Sequence, residues 1–364
     1  MHIVDTTMFW SPRGGGVGQY LRAKHAFLTG AAHCRHTLVT PGTLRPQAPR
    51  VPGVPLPLSG GYRWPVSRAD AREVLIDLAP DLIEAGDPYP LAWAALDAAA
   101  AAGVPAVACY HSDLPALAGR VGGRLGGRVG EHLARRLART YARRLYQRFD
   151  LVLAPSRAAL ASLDDLGVRR AVHQPLGVDT RLFQPARRSL RWRRLQGFGP
   201  RDKLLLYVGR YSPEKNLEVL VDAVARIGPG HWLLTLGAGP CRLAGAQVRD
   251  LGYATDRAQL ANIVASVDAL VHAGDQETFG LAALEALASG IPVIASAHGG
   301  LGELVDERVG AQVPATNGAA FAEAIEATLR RPRAALARAA RRHALAYDWQ
   351  RVLPSLLRHY RRLA

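Results

Sequence analysis

Short apolar runs alternate with helix-period segments along nearly the whole chain, and that alternation leaves few architectures open. The first half carries candidate strands at His2–Asp5, Thr37–Thr40, Asp81–Glu84, Pro105–Cys109 and Leu151–Ala154. The second half repeats the rhythm at Leu204–Val208, Trp232–Leu236, Ala269–His272 and Pro292–Ala295. Helical patterns fall between them, including Gln19–Leu28, Pro155–Leu166, Asn216–Ile227 and Ala319–Leu329. Strands that alternate with helices return in the same direction, so the series predicts an α/β protein with parallel sheets.

A chain of 364 residues is longer than one core usually supports, which divides it into two domains. The break is expected near Pro175-Leu-Gly-Val-Asp-Thr-Arg-Leu-Phe-Gln-Pro185, a proline-bounded segment before an arginine-rich stretch. This gives a Rossmann-like domain over 1–180, a second over 181–345, and a tail over 346–364. Ala340 to Ala364 reads as one basic helical pattern, with Pro354 as its kink.

Apolar residues make up 49% of the chain and no stretch is low in complexity, as in folded globular proteins. The most apolar stretch, Leu91 to Tyr110, contains Asp97, Gly103 and Pro105, and reads as a helix plus a buried strand rather than a membrane span. Met1 leads straight into a strand without a basic-then-apolar leader, so a cytoplasmic protein is expected. Cys34, Cys109 and Cys241 are far apart and odd in number, which argues against a disulfide framework or a zinc knuckle. The formal charge of +16 is almost all arginine, because Lys24, Lys203 and Lys215 are the only lysines. Such a balance favours anionic partners without choosing among nucleotides, lipid headgroups and nucleic acid.

Three segments carry chemistry. In the first, the strand ending at Asp5 is followed by Gly14-Gly-Gly-Val-Gly-Gln-Tyr20 and then a helix. Its glycines admit a ligand close to the backbone, and the helix start offers free N–H groups, so a phosphate fits. The spacing is not that of the dinucleotide-binding fingerprint. In the second, Val208-Gly-Arg-Tyr-Ser-Pro-Glu-Lys-Asn216 runs from strand to helix. Arg210 and Lys215 would lie at the carboxyl edge of a parallel sheet, as a clamp for a diphosphate leaving group.

The third segment is the most specific. Val271-His-Ala-Gly-Asp-Gln-Glu-Thr-Phe-Gly280 leads into a helix, with Glu277 before it and Glu285 on its second turn. The amides of Phe279, Gly280 and Leu281 would meet phosphate. Glu277 would take sugar hydroxyls and Glu285 a ribose diol. Eight residues of helix would separate the two carboxylates by about 12 Å on a similar face. Asp275 and Glu277 form a D-x-E, but Arg210 and Lys215 already supply positive charge, so no metal is expected.

These motifs resemble the retaining, family 4 type of GT-B glycosyltransferase. The resemblance rests on the glycine loop, "PLGVD" (175–179), "VGR…KN", the two-glutamate segment and Gly290-Ile-Pro-Val, and it is strongest between 204 and 305. It implies two Rossmann-like domains with parallel sheets facing across a cleft, and a tail that crosses back to the first domain. It also implies that Gly15 and Gly16 abut the donor diphosphate. In lipid-glycosylating relatives a "YH(T/S)" segment follows the strand that here precedes His111, which implies a sugar-contacting, catalytic role for His111. Asp113 stands as an acceptor-side candidate. Gly237-Ala-Gly-Pro240 departs from the family's more acidic turn and leaves base recognition open.

Arg120 to Arg148 carries nine arginines, with apolar residues every fourth position from 121 to 149. Gly122-Gly123 and Gly126-Gly127 are expected to interrupt that helix. The segment reads either as a surface for an anionic membrane, as in related lipid-modifying enzymes, or as a solvated basic face over a core helix.

The function expected is a hexosyltransferase acting from a GDP- or UDP-hexose onto a lipid or glycan hydroxyl, on the inner face of the cell membrane. The family implies retention, by front-face displacement since no carboxylate is an obvious nucleophile. The alternative is a sugar-nucleotide epimerase or a phosphorylase. An NAD dehydrogenase lacks its fingerprint here, and no helix-turn-helix, zinc or RNA-stacking pattern points to nucleic acid.

Overall fold

The computed structural model describes residues 1–10, 15–42, 49–56, 61–241, 243–254 and 256–364, and Gly14 of the glycine loop lies outside them. The chain forms two compact units, Met1–Pro175 with Val352–Ala364, and Leu176–Arg351.

Unit 1 opens with β1 (His2–Thr6), α1 (Gly16–Ala26) and β2 (Arg35–Pro41), followed by the short strands β3 (Arg50–Val51), β4 (Gly53–Pro55) and β5 (Arg63–Pro65). Then come α2 (Arg68–Asp77), β6 (Leu82–Ala85), α3 (Pro90–Ala102) and β7 (Ala106–Cys109). The unit continues with α4 (Leu114–Tyr146), β8 (Leu151–Ala154), α5 (Arg157–Asp165) and β9 (Ala171–His173). The main sheet runs β3-β2-β1-β6-β7-β8-β9. Its pairs are all parallel. Every residue of β6 and β7 is buried, as expected when helices cover both faces of a sheet. Leu91–Tyr110 becomes α3 and β7, and no helix among the described residues is long and apolar enough to cross a membrane.

Unit 2 contains α6 (Leu190–Leu195), β10 (Lys203–Val208), α7 (Leu217–Ile227), β11 (His231–Leu236), β12 (Val248–Asp250), α8 (Arg257–Ser266) and β13 (Ala269–His272). It goes on through α9 (Leu281–Ala288), β14 (Val293–Ser296), α10 (Gly299–Leu304), β15 (Gly310–Val313), α11 (Gly318–Arg330) and α12 (Arg333–Leu345). Its parallel sheet runs β12-β11-β10-β13-β14-β15. The last helix, α13 (Trp349–Arg361), starts in unit 2 and enters unit 1 at Val352.

Both sheets reverse their strand order at one place, beside β1 and β6 in unit 1 and beside β10 and β13 in unit 2. Loops leaving the carboxyl ends of two such strands diverge to opposite faces and leave a crevice. In unit 2 these are the loops holding Arg210–Lys215 and Ala273–Gly280.

Three details differ from the sequence reading. The division falls at Pro175 rather than 180, because Val178 bridges Asp348 and the Thr180 hydroxyl bonds the Asp348 carboxylate, tying 176–180 into unit 2. The tail is two helices rather than one. It breaks at Ala346–Asp348, and Pro354 sits inside α13. Within α4, only Gly126 and Gly127 leave helical geometry, whereas Gly122 and Gly123 stay helical.

Candidate donor and acceptor sites

Lys215 ends a single 3-10 turn after β10, and Glu277 lies in the loop after β13. Sixty-two residues apart in sequence, their side chains form an ion pair. His272, the last residue of β13, adds a second partner, with Nε2 3.3 Å from Glu277 Oε1. The Gly274 N–H donates to His272 Nδ1 at 3.1 Å. That leaves the ring proton on Nε2, facing the carboxylate. Burial alone would raise the Glu277 pKa, yet Lys215 and His272 hold it well below the ordinary carboxylate range. Glu277 is therefore an anion at any working pH, 22% exposed, and fixed from two sides. Asn216 ties the two loops together: it takes a left-handed conformation (φ 50°) and its side-chain amide donates to the Ala273 carbonyl at 3.1 Å.

Arg210 is exposed just past β10, and its carbonyl accepts from the Tyr207 hydroxyl at 2.8 Å. Among the described residues its guanidinium forms no hydrogen bond or ion pair, so it stands ready for an anion. Phe279 is buried, Gly280 occupies the N-cap with φ 100°, and Leu281 begins α9. A Cβ on Gly280 would meet Leu301 Cδ2 at 2.6 Å, so both conformation and space require glycine here.

Glu285 is where the sequence reading needs correction. Since helix begins only at Leu281, the eight-residue helical spacing from Glu277 does not apply. Glu277 is a loop residue and Glu285 is buried on α9. The Glu285 side chain is 4% exposed and pairs with Arg257 of α8 at 3.0 Å. Burial pushes its pKa up against the opposing pull of Arg257. A ribose would reach it only from hard against the helix, in competition with the guanidinium.

In unit 1, Gly15 caps α1 with φ 128° and Gly16 is its first residue. Behind them lies a charged core. Asp5 and Glu84 are cross-strand neighbours on β1 and β6, two like charges side by side. Lys24 of α1, fully buried, bridges them at 2.7 and 2.9 Å. His36 approaches Asp5 at 3.0 Å, while the Tyr20 and Tyr360 hydroxyls donate to Glu84. Burial opposes a charged Lys24, but the two carboxylates raise its pKa above the usual value.

His111 follows β7 after Tyr110. Its ring packs edge-on against Tyr20 at 5.3 Å, and Nδ1 lies 3.8 Å from the Cys109 sulfur. Burial, reinforced by the Lys24 charge, lowers its pKa to about 4, so the ring is neutral at pH 7. Asp113, an acceptor-side candidate in the sequence, caps α4 by accepting from the Ala116 N–H at 2.9 Å.

Sequence reasoning missed three functional candidates. His272 carries the same signal as His111, a histidine at the carboxyl end of a parallel strand. Arg257 has no local signal, since its partner is on another helix. Asp87 belongs to the loop after β6. Its carboxylate accepts from the Thr7 hydroxyl at 2.9 Å, the Met8 N–H at 2.6 Å and the Tyr89 N–H at 3.3 Å, tying together the two loops at the unit 1 crevice.

Comparison with known proteins agrees with this architecture. Residues 14–182 match the family model described as Glycosyltransferase Family 4, and residues 190–343 match Glycosyl transferases group 1. A GDP-mannose-dependent alpha-(1-6)-phosphatidylinositol dimannoside mannosyltransferase of Mycobacterium tuberculosis is 32% identical, over 98% of this chain and 95% of its own. A GDP-mannose-dependent alpha-mannosyltransferase of Mycolicibacterium smegmatis is also 32% identical, with 90% of each chain covered. Among solved structures, sucrose-phosphate synthase from Thermosynechococcus elongatus superposes with a TM-score of 0.79 at 23% identity, covering 100% of this chain and 98% of that one. Anabaena HepE in complex with UDP-glucose gives 0.76 at 20%, covering 100% of both chains. The chain belongs to glycosyltransferase family 4 and has the GT-B fold.

Proposed function

We propose that this glycosyltransferase moves a hexose from a nucleoside diphosphate sugar to a hydroxyl of a membrane lipid or glycan, with retention at the anomeric carbon and without a metal ion. The observation that carries the reading is the Lys215–Glu277 pair at the crevice of the unit 2 sheet, with Arg210 exposed beside the same strand end. The relatives' names add weight to a GDP-mannose donor and a phosphatidylinositol-based acceptor.

In this reading the acceptor oxygen bonds to the anomeric carbon on the face from which the diphosphate departs. The carbon–phosphate-oxygen bond breaks, and a departing phosphate oxygen takes the acceptor proton. Arg210 and Lys215 stabilise the charge that grows on the diphosphate, as a metal does in other transferases. The amides of Phe279, Gly280 and Leu281 bind phosphate, Glu277 orients the sugar hydroxyls, and Glu285 contacts the ribose as Arg257 yields. In unit 1, Gly15 and Gly16 contact phosphate, and neutral His111 donates a hydrogen bond to the sugar. The protein acts in the cytoplasm, on the inner face of the membrane, with no nucleic-acid partner.

A thermal-shift screen of nucleotide sugars identifies the donor. Transfer from that donor in EDTA, with product stereochemistry read by NMR, tests the rest. Loss of activity in EDTA, or an inverted anomer, contradicts the mechanism. Turnover of the donor without acceptor would indicate an epimerase instead.

A further inference from the structure

The arginine-rich α4 is a helical hairpin. Gly126 and Gly127 form its turn, the latter at φ 58°. The two arms touch backbone to backbone: a Cβ on Gly122 would lie 2.6 Å from the Ala134 Cβ and 2.9 Å from the Gly130 carbonyl carbon. Glycines therefore occupy the inner face of the hairpin and leave its large apolar side chains outside.

Those side chains are most exposed at the two positions flanking the turn, Leu125 and Val129. Val121 is 51% exposed and Leu125 85% on the first arm; Val129 is 78% and Leu133 55% on the second. Large aliphatic groups this open, in a row, mark an interaction surface. A basic residue precedes several of them, with Arg120, Arg124, Arg128 and Arg136 before Val121, Leu125, Val129 and Leu137. One residue is about 100° of helix, so a basic stripe edges the apolar one. On its flank, the second arm and the end of α5 line a groove of about 460 Å³ whose walls include His132, Arg135, Arg136, Arg139 and Arg143, with Asp165 as its one acidic residue.

We propose that this hairpin docks the enzyme on an anionic lipid bilayer, Leu125 and Val129 entering the acyl boundary while the flanking guanidiniums meet headgroup phosphates. Charge selects this occupant over a second copy of the chain. From Arg120 to Arg148 there are nine arginines and one acid, Glu131, so two hairpins would repel where an anionic surface attracts. An apolar row at the tip with basic residues beside it is the pattern that inserts shallowly into such a surface. Docking of this kind rests on the membrane-lipid reading for the identity of the surface, but not on catalysis.

The test is co-sedimentation of the full chain with vesicles of phosphatidylcholine alone or mixed with phosphatidylglycerol, at physiological salt. Wild type should favour the anionic vesicles. The exposed double variant Leu125→Glu/Val129→Glu should lose about tenfold or more of that binding, with an unchanged unfolding midpoint. Arg124→Glu/Arg128→Glu should also lose it. In Leu125→Trp, fluorescence should shift blue on anionic vesicles and be quenched by brominated acyl chains. Undiminished binding by the Leu125/Val129 variant, or competition by duplex DNA that needs only the arginines, would overturn the proposal. So would a dimer, formed without vesicles, that the same variant dissolves. Because sedimentation needs no turnover, failure of docking leaves the transferase reading intact, and failure of transfer leaves docking intact.

Discussion

His272 Nε2 lies 3.3 Å from the Glu277 carboxylate, with the ring's other nitrogen engaged by the Gly274 N–H. One carboxylate oxygen thus faces the His272 Nε2 and the Lys215 ammonium together, and the group is aimed before any ligand arrives. Such preorganisation is what a transition state with growing charge requires. Glu277→Gln should lower kcat about a hundredfold or more while the affinity for the nucleoside diphosphate, read by calorimetry, stays within a few-fold. His272→Ala should give a smaller kcat loss in the same direction. Undiminished turnover in the Gln variant would sink the role given to Glu277.

Arg257 is the only ion-pair partner of buried Glu285 among the described residues. Removing the guanidinium leaves a carboxylate with nothing opposite it in an apolar helix. Arg257→Ala should destabilise the protein by about 3 kcal/mol in urea unfolding at pH 7. The double variant Arg257→Ala/Glu285→Gln should recover much of that loss. If the single variant unfolds at the wild-type midpoint, the pair does not stabilise the unit.

Gly280 sets the first turn of α9. Alanine there needs both a left-handed backbone and space taken by Leu301. Gly280→Ala should shift the three amides proposed to bind phosphate and weaken nucleoside diphosphate binding about tenfold or more, with a lowered melting temperature. Wild-type affinity in this variant would remove the amides from the donor site.

Asp87 gives a pH signature. Burial raises its pKa from 3.8 to about 6, despite the donors from Met8, Thr7 and Tyr89. The folded state therefore holds the proton more tightly than the unfolded one. Stability from this group is fully present below about pH 4, falls as pH rises to about 6, and is flat above. The difference is about 3 kcal/mol. In Asp87→Asn that slope should vanish, so the variant's stability relative to wild type rises between pH 4 and 6. Parallel wild-type and variant curves over that range would contradict the buried, proton-binding carboxylate.

Much of this was legible in the sequence because parallel strands are locally encoded. Apolar runs such as Leu151–Ala154 and Ala269–His272 became β8 and β13 with the same bounds. Short edge strands were not: β12 (Val248–Asp250) and β15 (Gly310–Val313) carry polar residues and depend on a neighbour for their hydrogen bonds. The Arg210, Lys215 and Glu277 motifs could be found because each follows a strand. The link between Lys215 and Glu277 could not, since it arises from the order of strands in the sheet. The spacing from Glu277 to Glu285 escapes the sequence for a related reason. Gly280, with its positive φ, delays the helix start to Leu281, so Glu277 is a loop residue and a helical rise does not measure its distance to Glu285.

The placement of α13 has a consequence for biosynthesis. Glu84, in the earlier part of unit 1, receives its Tyr360 hydroxyl from residues translated after unit 2. Unit 2, an insertion between the two parts of unit 1, is complete at Arg351, before Val352 and the rest of α13 emerge. On the ribosome the first part of unit 1 therefore waits, its charged centre one donor short, until the rest of α13 has been made and can close it.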